Sequence, residues 1–547
     1  MTLIGPASVV TCLLLAMSMQ PLIVASVVNS YEKLQRLVDK GDGALIKGIK
    51  DVIHERQEKI KNLTTILAQY YNNLKADYQF RADHPNDFYL LVKHHITVWY
   101  GGNIGEDLIP AMEEVIQKQN LTFPVIDDLG DAVLALVRLQ YVYKLKARDM
   151  FEGNYLGYMG PALERQDAYL IGKQAFVSGY LPEAQMWLQM SLDLLTDVLE
   201  NDKLEGLSEE EGSSIENLRE EYFWTLCLLG RTYFYMNDSQ TARKLYEQCN
   251  NPELAANEDA EELGKDLEAD NSTRLLEQFA SRIKDYDQNT SALCSREKDH
   301  RVTVTRPHHV CRYKSDPFIP YRRFREEILS TSPYASVFYD VIHESEIDRL
   351  KEIARKGLTR GQVGAGGVSD GRTGDLHWVH DNADPLVARV SQRVKAFSRL
   401  DVTIRDSKRR SAELMQVVNY GLGGHYDVHM DPIRNRGNTQ NRLATVLFYL
   451  TDVEKGGATI FPKVGVSVSP IKGMALLWYN YQPHMNDRDL LTQHAGCPVL
   501  MGNKWVANKW IWIYGNMFRR PCGPSPHCSQ LDVESIVSVD ALKQVIP

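Results

Sequence analysis

The sequence predicts a multidomain protein with an all-α N-terminal half followed by a β-rich domain of the sandwich or barrel type. Its 547 residues suffice for three or four domains of about 150 residues each. Apolar residues recur at helical spacing before residue 250, whereas short apolar runs between Gly, Pro and Asn turns dominate after residue 333. The composition is globular, and a net charge of −9 gives no general attraction to nucleic acid or to anionic membranes.

Residues 1–26 are predicted to be a secretory signal peptide. The apolar run from Val9 to Met17 is too short for a typical membrane span, and Ala25 and Ser26 offer a small-residue cleavage site. An uncleaved anchor is the alternative, because the segment lacks a basic start. Five glycosylation sequons favour the secretory pathway, at Asn62, Asn120, Asn237, Asn271 and Asn289. The C-terminal Gln-Val-Ile-Pro is not a retention signal, which leaves open what would hold the chain in this pathway.

Residues 27–144 are predicted to form an N-terminal helical dimerisation domain. Apolar residues from Leu45 to Leu67 recur at steps of three and four with charges between them, and residues 133–143 continue the pattern. A coiled-coil dimerisation segment and the core of a helical bundle both fit this pattern, because glycines interrupt the heptads.

Residues 145–255 are predicted to form a tetratricopeptide-like peptide-binding domain. Gly172 and Ala184 recur as Gly230 and Ala242, with the same offset of 58 residues. This offset exceeds the usual ~34 residues, and an acidic insertion explains the difference. Helix pairs of this kind stack into a groove, and the many tyrosines suit a proline-rich ligand in the polyproline II conformation. An all-helical spacer is the alternative.

Residues 256–332 are predicted to be a linker with one disulfide loop, because they are polar and interrupted by prolines. Cys294 and Cys311 would close a short loop, and Cys497 and Cys522 flank a strand-like segment, so both pairs suit an oxidising compartment. Seven cysteines follow the predicted signal, which leaves at least one unpaired. A zinc site is the rival interpretation, but the sequence has no Cys-x-x-Cys motif.

The chemistry of residues 333–523 is predicted to reside in the segment His425-Tyr-Asp427-Val-His429-Met-Asp431. Residues two apart on a strand share a face, so each His-x-Asp pair directs an imidazole and a carboxylate into one cavity. One further histidine would complete a two-His-one-carboxylate set, which binds Fe(II) and leaves positions open for a cosubstrate and O2. Hydrogen-bonded surface pairs without a metal are the alternative.

Spacing alone does not choose between the two pairs. Glycines crowd the first pair into a turn, and Pro432 ends the strand just after the second, which favours His429 and Asp431. His494 precedes a strand pattern and is preferred as the third ligand over His484, which lies in a polar run. Lys504 begins the next strand and is predicted to hold the far carboxylate of 2-oxoglutarate.

Four motifs of the C-terminal half carry a family resemblance. They are Val418-Asn-Tyr-Gly-x-Gly-Gly424, His429-x-Asp431, Gly456-Gly-Ala-Thr-x-Phe-Pro462 and Cys497-Pro-Val-Leu-x-Gly-Asn-Lys-Trp505. With them the chain resembles the alpha subunits of collagen prolyl 4-hydroxylase over nearly its whole length. The resemblance implies a double-stranded β-helix (jelly-roll) oxygenase domain with iron on His429, Asp431 and His494 and 2-oxoglutarate on Lys504. Tyr420 and Tyr449 become further cofactor-binding candidates, and the two predicted disulfides fit the family.

The same resemblance implies hydroxylation of peptidyl proline at C4 in X-Pro-Gly repeats, with oxidative decarboxylation of 2-oxoglutarate to succinate and CO2. L-ascorbate would restore oxidised iron. The expected partner is protein disulfide isomerase, in an alpha2beta2 heterotetramer held in the endoplasmic reticulum lumen by that partner, with no nucleic acid and no membrane span. Phe176 and Phe234 stand where the family leads us to expect tyrosines. The alternative functions are a 2-oxoglutarate hydroxylase of other secreted proteins and a non-catalytic collagen-binding subunit. Residues 524–547 are predicted to form a C-terminal tail.

Overall fold

A computed structural model describes most of the chain after residue 80. The described residues are 31, 32, 35, 39, 81–100, 109–119, 121–201, 209–250, 258–269, 288–296, 302–303, 310–316, 321–363, 367–368, 371–404, 410–433, 440–520 and 522–523. The predicted signal peptide, the helical pattern from Leu45 to Leu67, the predicted C-terminal tail of residues 524–547, and the sequons at Asn62, Asn120 and Asn271 lie outside them. Among the described residues, no helix combines the length and hydrophobicity that a membrane span requires.

The described residues belong to two compact units. The first lies within Lys33–Asp287, and the second lies within Gln288–Pro547 together with Asn29–Glu32. The first unit is helical, with one short β-hairpin of β1 (Asn154–Tyr155) and β2 (Tyr158–Met159). Its helices are α1 (Pro85–Tyr100), α2 (Ile109–Lys118), α3 (Ile126–Tyr143), α4 (Ala147–Phe151), α5 (Arg165–Val177), α6 (Leu181–Asn201), α7 (Glu209–Tyr235), α8 (Ser239–Cys249) and α9 (Glu258–Ala269).

Glycines allow the helices of the first unit to approach one another closely. A Cβ on Gly172 of α5 would stand 2.8 Å from Leu188 Cγ of α6, and a Cβ on Gly230 of α7 would stand 2.7 Å from Leu263 Cδ2 of α9. Both distances are shorter than real Cβ contacts, so a larger residue at either position would force a neighbouring group to shift. The helices of this unit confirm the helical N-terminal half that the apolar spacing predicts.

The second unit is mainly antiparallel β-structure. Its helices are α10 (Gln288–Cys294), α11 (Glu344–Arg355) and α12 (Pro385–Ser398). Its strands are β3 (Val302–Thr303), β4 (Val310–Ser315), β5 (Arg323–Thr331), β6 (Tyr334–Tyr339), β7 (Thr359–Arg360), β8 (Gln362–Val363), β9 (Gly367–Val368), β10 (Asp375–Val379), β11 (Met415–Tyr420), β12 (Tyr426–His429), β13 (Arg442–Tyr449), β14 (Lys455–Gly456), β15 (Thr459–Phe461), β16 (Val466–Val468), β17 (Ala475–Tyr479), β18 (His494–Gly496), β19 (Val499–Met501) and β20 (Lys504–Trp512).

Two sheets dominate this unit. The larger has the strand order β4-β5-β6-β17-β13-β20-β11-β10-β7, and the smaller has the order β12-β18-β15-β16-β3. Side chains alternate along β13, so that Val446 and Phe448 pack in a core with residues of α11 and α12. Leu447 and Tyr449 enter a second core, which contains residues of β15 and β16 from the smaller sheet. This arrangement of sheets agrees with the predicted jelly-roll oxygenase fold.

The predicted disulfide pairs are wrong. Cys294 pairs with Cys497, and Cys227 pairs with Cys249. Cys311 and Cys522 are exposed and free. The cause is the docking of α10 on the smaller sheet, where Ser467 Oγ donates to the Leu293 carbonyl at 3.1 Å. This contact brings Cys294 beside Cys497, so residues 256–332 do not contain the short disulfide loop that the sequence suggested.

Candidate metal and cofactor site

His429, Asp431 and His494 converge at one point of the second unit. Their candidate ligand atoms all lie within 4.8 Å of one another. Strand β12 pairs antiparallel with β18, which places His429 directly opposite His494. The Nε2 atoms of both histidines lie 3.8 Å from Asp431 Oδ1. The antiparallel pairing therefore supplies two imidazoles, and the residue two positions after His429 supplies the carboxylate.

Backbone carbonyl groups fix the orientation of both imidazoles. His429 Nδ1 lies 2.7 Å from the carbonyl oxygen of Asp427, and His494 Nδ1 lies 3.0 Å from that of Thr492. A carbonyl only accepts hydrogen bonds, so each Nδ1 carries the proton and each Nε2 presents its lone pair towards Asp431. This is the tautomer in which a histidine binds a metal through Nε2.

The surroundings also set the charges that metal binding requires. Burial, reinforced by the neighbouring His494, lowers the pKa of His429 to about 3, so its ring is neutral. Burial acts to raise the pKa of Asp431, but His494, His429, Arg442 and the Thr445 hydroxyl together outweigh it and lower that pKa. A neutral imidazole at His429 and a carboxylate at Asp431 are the protonation states that binding of a divalent cation requires of these two residues.

The first His-x-Asp pair does not join this cluster. His425 is buried, with Nδ1 2.9 Å from Thr373 Oγ1 and Nε2 3.1 Å from Asp427 Oδ1. Asp427 contributes its backbone carbonyl to the orientation of His429 instead. The competing histidine, His484, lies in a turn with Nε2 2.7 Å from Gln482 Oε1. Among the described residues, only His429, Asp431 and His494 form such a cluster.

A pocket of about 430 Å³ adjoins the cluster. It is lined by aromatic, polar and charged side chains from both sheets. The lining residues are Tyr420, Tyr426, His429, Asp431, Thr445, Leu447, Thr459, Trp478, His494, Gly496, Lys504, Val506, Asn508 and Trp510. The pocket therefore contains five of the six ligand-binding side chains that the sequence predicts, namely the three cluster residues, Lys504 and Tyr420.

Lys504 is a buried cation in this pocket. Its side chain is 4% exposed, and burial alone lowers its pKa to about 7. Its Nζ lies 5.5 Å from the centre of the Tyr420 ring. By contrast, Lys509 of the same strand donates to Asp381 Oδ1 at 2.8 Å. A buried lysine that no carboxylate balances among the described residues indicates a binding position for an anion.

The two candidate tyrosines have different positions. Tyr420 lines the pocket beside Lys504, whereas Tyr449 is fully buried and its hydroxyl donates to Thr459 Oγ1 at 2.8 Å. Thr459, which does line the pocket, was not singled out from the sequence. Its place in the Gly-Gly-Ala-Thr motif was an available signal, because that motif precedes a strand that faces the site.

Sequence analysis also missed the side chains that surround the cluster. The Tyr426 ring stacks on the His429 ring with centroids 3.6 Å apart, and Arg372 lies 4.8 Å from the centre of the Tyr426 ring. Arg442 donates to both carboxylate oxygens of Glu413 and lies 3.8 Å from the centre of the Trp510 ring. The contacts of Arg372 and Arg442 join distant segments, so no local sequence pattern indicates them.

Comparisons with known proteins agree with this architecture. The model of the 2OG-Fe(II) oxygenase superfamily matches residues 415–512, and that of the prolyl 4-hydroxylase alpha-subunit N-terminal region matches residues 30–157. Prolyl 4-hydroxylase subunit alpha-2 of Caenorhabditis elegans is 31% identical, over 85% of this chain and 90% of the relative. Its namesake from Gallus gallus is 30% identical, over 88% and 92%. The crystal structure of a viral collagen prolyl hydroxylase from Paramecium Bursaria Chlorella virus-1 is 24% identical in sequence. The match covers 32% of this chain and 94% of the viral chain, and its TM-score of 0.27 is too low to carry an argument.

Proposed function

Since the chain belongs to the family of prolyl 4-hydroxylase alpha subunits, we propose that its second unit hydroxylates peptidyl proline at C4. The chain is an Fe(II)/2-oxoglutarate-dependent dioxygenase of the superfamily whose model matches residues 415–512. The observation that carries the proposal is the convergence of His429, Asp431 and His494 in one pocket with the buried Lys504. A non-catalytic subunit would have no need to keep all four.

The donor set of the cluster fits Fe(II). His429 and His494 would bind it through Nε2, and Asp431 would bind it through Oδ1, the oxygen nearest both nitrogens. Three protein ligands leave positions open for small molecules. When bound, iron with 2-oxoglutarate and O2 supplies the oxidation that places a hydroxyl on proline C4 and yields succinate and CO2.

Lys504 would bind the far carboxylate of 2-oxoglutarate. A buried ammonium without a carboxylate partner is unfavourable, and an anionic ligand would remove that cost by pairing with it. Thr459 offers a hydroxyl in the same pocket, and Tyr420 covers the lysine with its ring. The apolar faces of Tyr426 and Trp510 in the lining suit the ring of a proline.

The helical first unit would bind the proline-rich substrate. The paired helices α5 to α8, with glycines at their contacts, support a tetratricopeptide-like groove within residues 145–255. Phe176 and Phe234 are buried, and Phe176 packs against Tyr235 with centroids 5.7 Å apart. Residues other than these two would therefore contact the peptide. Tyr233, whose hydroxyl accepts from Gln185 Nε2 at 3.1 Å, is a candidate.

The remaining parts of the proposal concern cellular context. We propose a pairing with protein disulfide isomerase in an alpha2beta2 heterotetramer, a location in the endoplasmic reticulum lumen and a requirement for ascorbate, on the basis of the family resemblance. The two disulfides, Cys227–Cys249 and Cys294–Cys497, support an oxidising compartment.

A mass-spectrometric assay tests the function. The full chain, coexpressed with protein disulfide isomerase, is incubated with a Pro-Pro-Gly repeat peptide, Fe(II), 2-oxoglutarate and ascorbate. We expect a gain of one oxygen on the proline that precedes glycine, and no gain with the His494→Ala variant. No gain despite normal metal binding would indicate another peptide substrate, whereas no gain without metal binding would favour the non-catalytic alternative.

A further inference from the structure

The carboxylate of Asp431 makes a second contact that points away from the two histidines. Thr445 Oγ1 of β13 donates a hydrogen bond to Asp431 Oδ2 at 2.5 Å. Asn480, which directly follows β17, donates from Nδ2 to the same Thr445 Oγ1 at 3.0 Å. The Thr445 and Asn480 side chains are 1% and 0% exposed, so water does not compete for these bonds. The two residues form a buried chain that ends on the carboxylate.

The chemistry of the groups sets the direction of this chain. An ionised carboxylate only accepts hydrogen bonds, so the single Thr445 proton must point to Asp431. The Thr445 oxygen then offers only lone pairs, which the amide group of Asn480 can engage only as a donor. Asp431 therefore sets the direction of the Thr445 proton, Asn480 holds the Thr445 oxygen from the other side, and Thr445 determines which oxygen of Asp431 is occupied.

The backbone of Asn480 also supports the other arm of the site. Its carbonyl accepts from the Asp489 amide at 2.9 Å, and its own amide donates to the Leu443 carbonyl at 2.8 Å. Asp489 Oδ1 accepts from the Leu491 amide, and Thr492 Oγ1 donates to the Asp489 carbonyl at 2.6 Å. The carbonyl of Thr492 in turn orients His494. Asn480 is thus connected to Asp431 through its side chain and to His494 through its backbone.

We propose that Thr445 and Asn480 are positioning residues that confine Asp431 to binding a metal through Oδ1 alone. This inference rests on the proposed function, because it assumes that the cluster holds a metal. Without Thr445, the Asp431 carboxylate would be free to rotate, so metal binding would have to order it and would be weaker, and its second oxygen could occupy a further position on the ion. With Thr445, that position is kept for the cosubstrate, and the orientation of the carboxylate is fixed before a metal arrives.

Variants of near-identical shape test the proposal. Thr445→Val removes the hydroxyl, Thr445→Ser keeps it, and Asn480→Asp replaces the amide donor by a carboxylate that competes with Asp431 for the Thr445 proton. Mn(II) affinity and the Mn(II) signal are measured by electron paramagnetic resonance on the full chain coexpressed with protein disulfide isomerase. We expect Thr445→Val and Asn480→Asp to weaken binding roughly 10- to 100-fold, the range typical of residues that support metal ligands. We expect Thr445→Ser to restore most of the affinity.

The double variant Thr445→Val/Asn480→Asp separates positioning from general damage. Because Asn480 acts on Asp431 through Thr445, adding Asn480→Asp to Thr445→Val should change Mn(II) affinity little further. Circular dichroism and the melting temperature establish whether each variant is folded. If Thr445→Val is misfolded, the Mn(II) affinities of Asn480→Asp and Thr445→Ser decide the test. A folded Thr445→Val that binds Mn(II) as tightly as the parent chain overturns the inference alone. A parent chain that binds no Mn(II) overturns the proposed function as well.

Discussion

His429 and His494 are direct cross-strand neighbours whose ring centroids lie 4.2 Å apart. Their Nε2 atoms lie at the same distance, 3.8 Å, from Asp431 Oδ1. Two short strands and the residues that directly follow β12 therefore produce the whole candidate ligand set. A disulfide joins the neighbouring Cys497 to Cys294 of α10. The geometry depends on the pairing of β12 with β18, so substitutions that disturb this pairing should displace His429, Asp431 and His494 together.

Removal of either histidine should abolish 2-oxoglutarate decarboxylation. His429→Ala and His494→Ala each leave two of three ligands, which is too few to retain the metal at working concentrations. Release of CO2 from labelled 2-oxoglutarate measures the effect. His425→Gln is the matched control, because His425 lies outside the cluster and contacts Thr373 and Asp427. An equal loss in the control would show that the site requires His425 as well, which would contradict its place outside the cluster.

Loss of the Lys504 charge should weaken the binding of 2-oxoglutarate without preventing metal binding. We expect Lys504→Met to raise the KM for 2-oxoglutarate roughly 10- to 100-fold, the equivalent of a hydrogen bond to a charged group. Steady-state kinetics with a saturating peptide measure this change. Lys509→Met is the control, since Lys509 is paired with Asp381 and should affect only the melting temperature. An unchanged KM in Lys504→Met would reject the assigned role.

The affinity for 2-oxoglutarate should fall as the pH rises above neutrality. Burial lowers the pKa of Lys504 from 10.5 to about 7, so the ligand-free enzyme loses this charge as the pH rises through 7. The anionic ligand favours the protonated lysine, and binding at higher pH must therefore take up a proton. The KM should rise above pH 7 and approach about tenfold per pH unit. Calorimetry at pH 8 in buffers of different ionisation enthalpy detects the proton uptake, and a flat KM between pH 6 and 9 would contradict the assignment.

Peptide mapping under non-reducing conditions should recover the pairs Cys294–Cys497 and Cys227–Cys249. The first pair spans 203 residues of sequence, so its loss should destabilise the chain by about 3 to 5 kcal/mol through the freedom gained by the unfolded state. The melting temperature of a Cys294→Ser/Cys497→Ser variant checks this, with Cys311→Ser as the control. Recovery of a peptide that links Cys294 to Cys311 would contradict the structure.

The architecture was largely predictable because its signals are local. Helical spacing before residue 250 and short strands after residue 333 each arise from residues a few positions apart, and the structure has helices and antiparallel sheets in those places. Disulfide connectivity was not predictable, because Cys294, Cys311, Cys497 and Cys522 alone allow three complete pairings and the choice depends on how the helices pack against the sheets. The docking of α10 on the smaller sheet brings Cys294 to Cys497, 203 residues away in sequence, and no local spacing indicates this contact.

The sequence by itself determined that a histidine and an aspartate two residues apart would face one cavity, because side chains alternate along a strand. It also placed Lys504 at the start of a strand that enters the same pocket. Only the tertiary structure decided that the second His-x-Asp pair meets His494, that Thr459 stands between Tyr449 and the pocket, and that Asn480 reaches Asp431 through Thr445. These relationships join strands far apart in sequence, and which strands pair is decided by the packing of the whole unit.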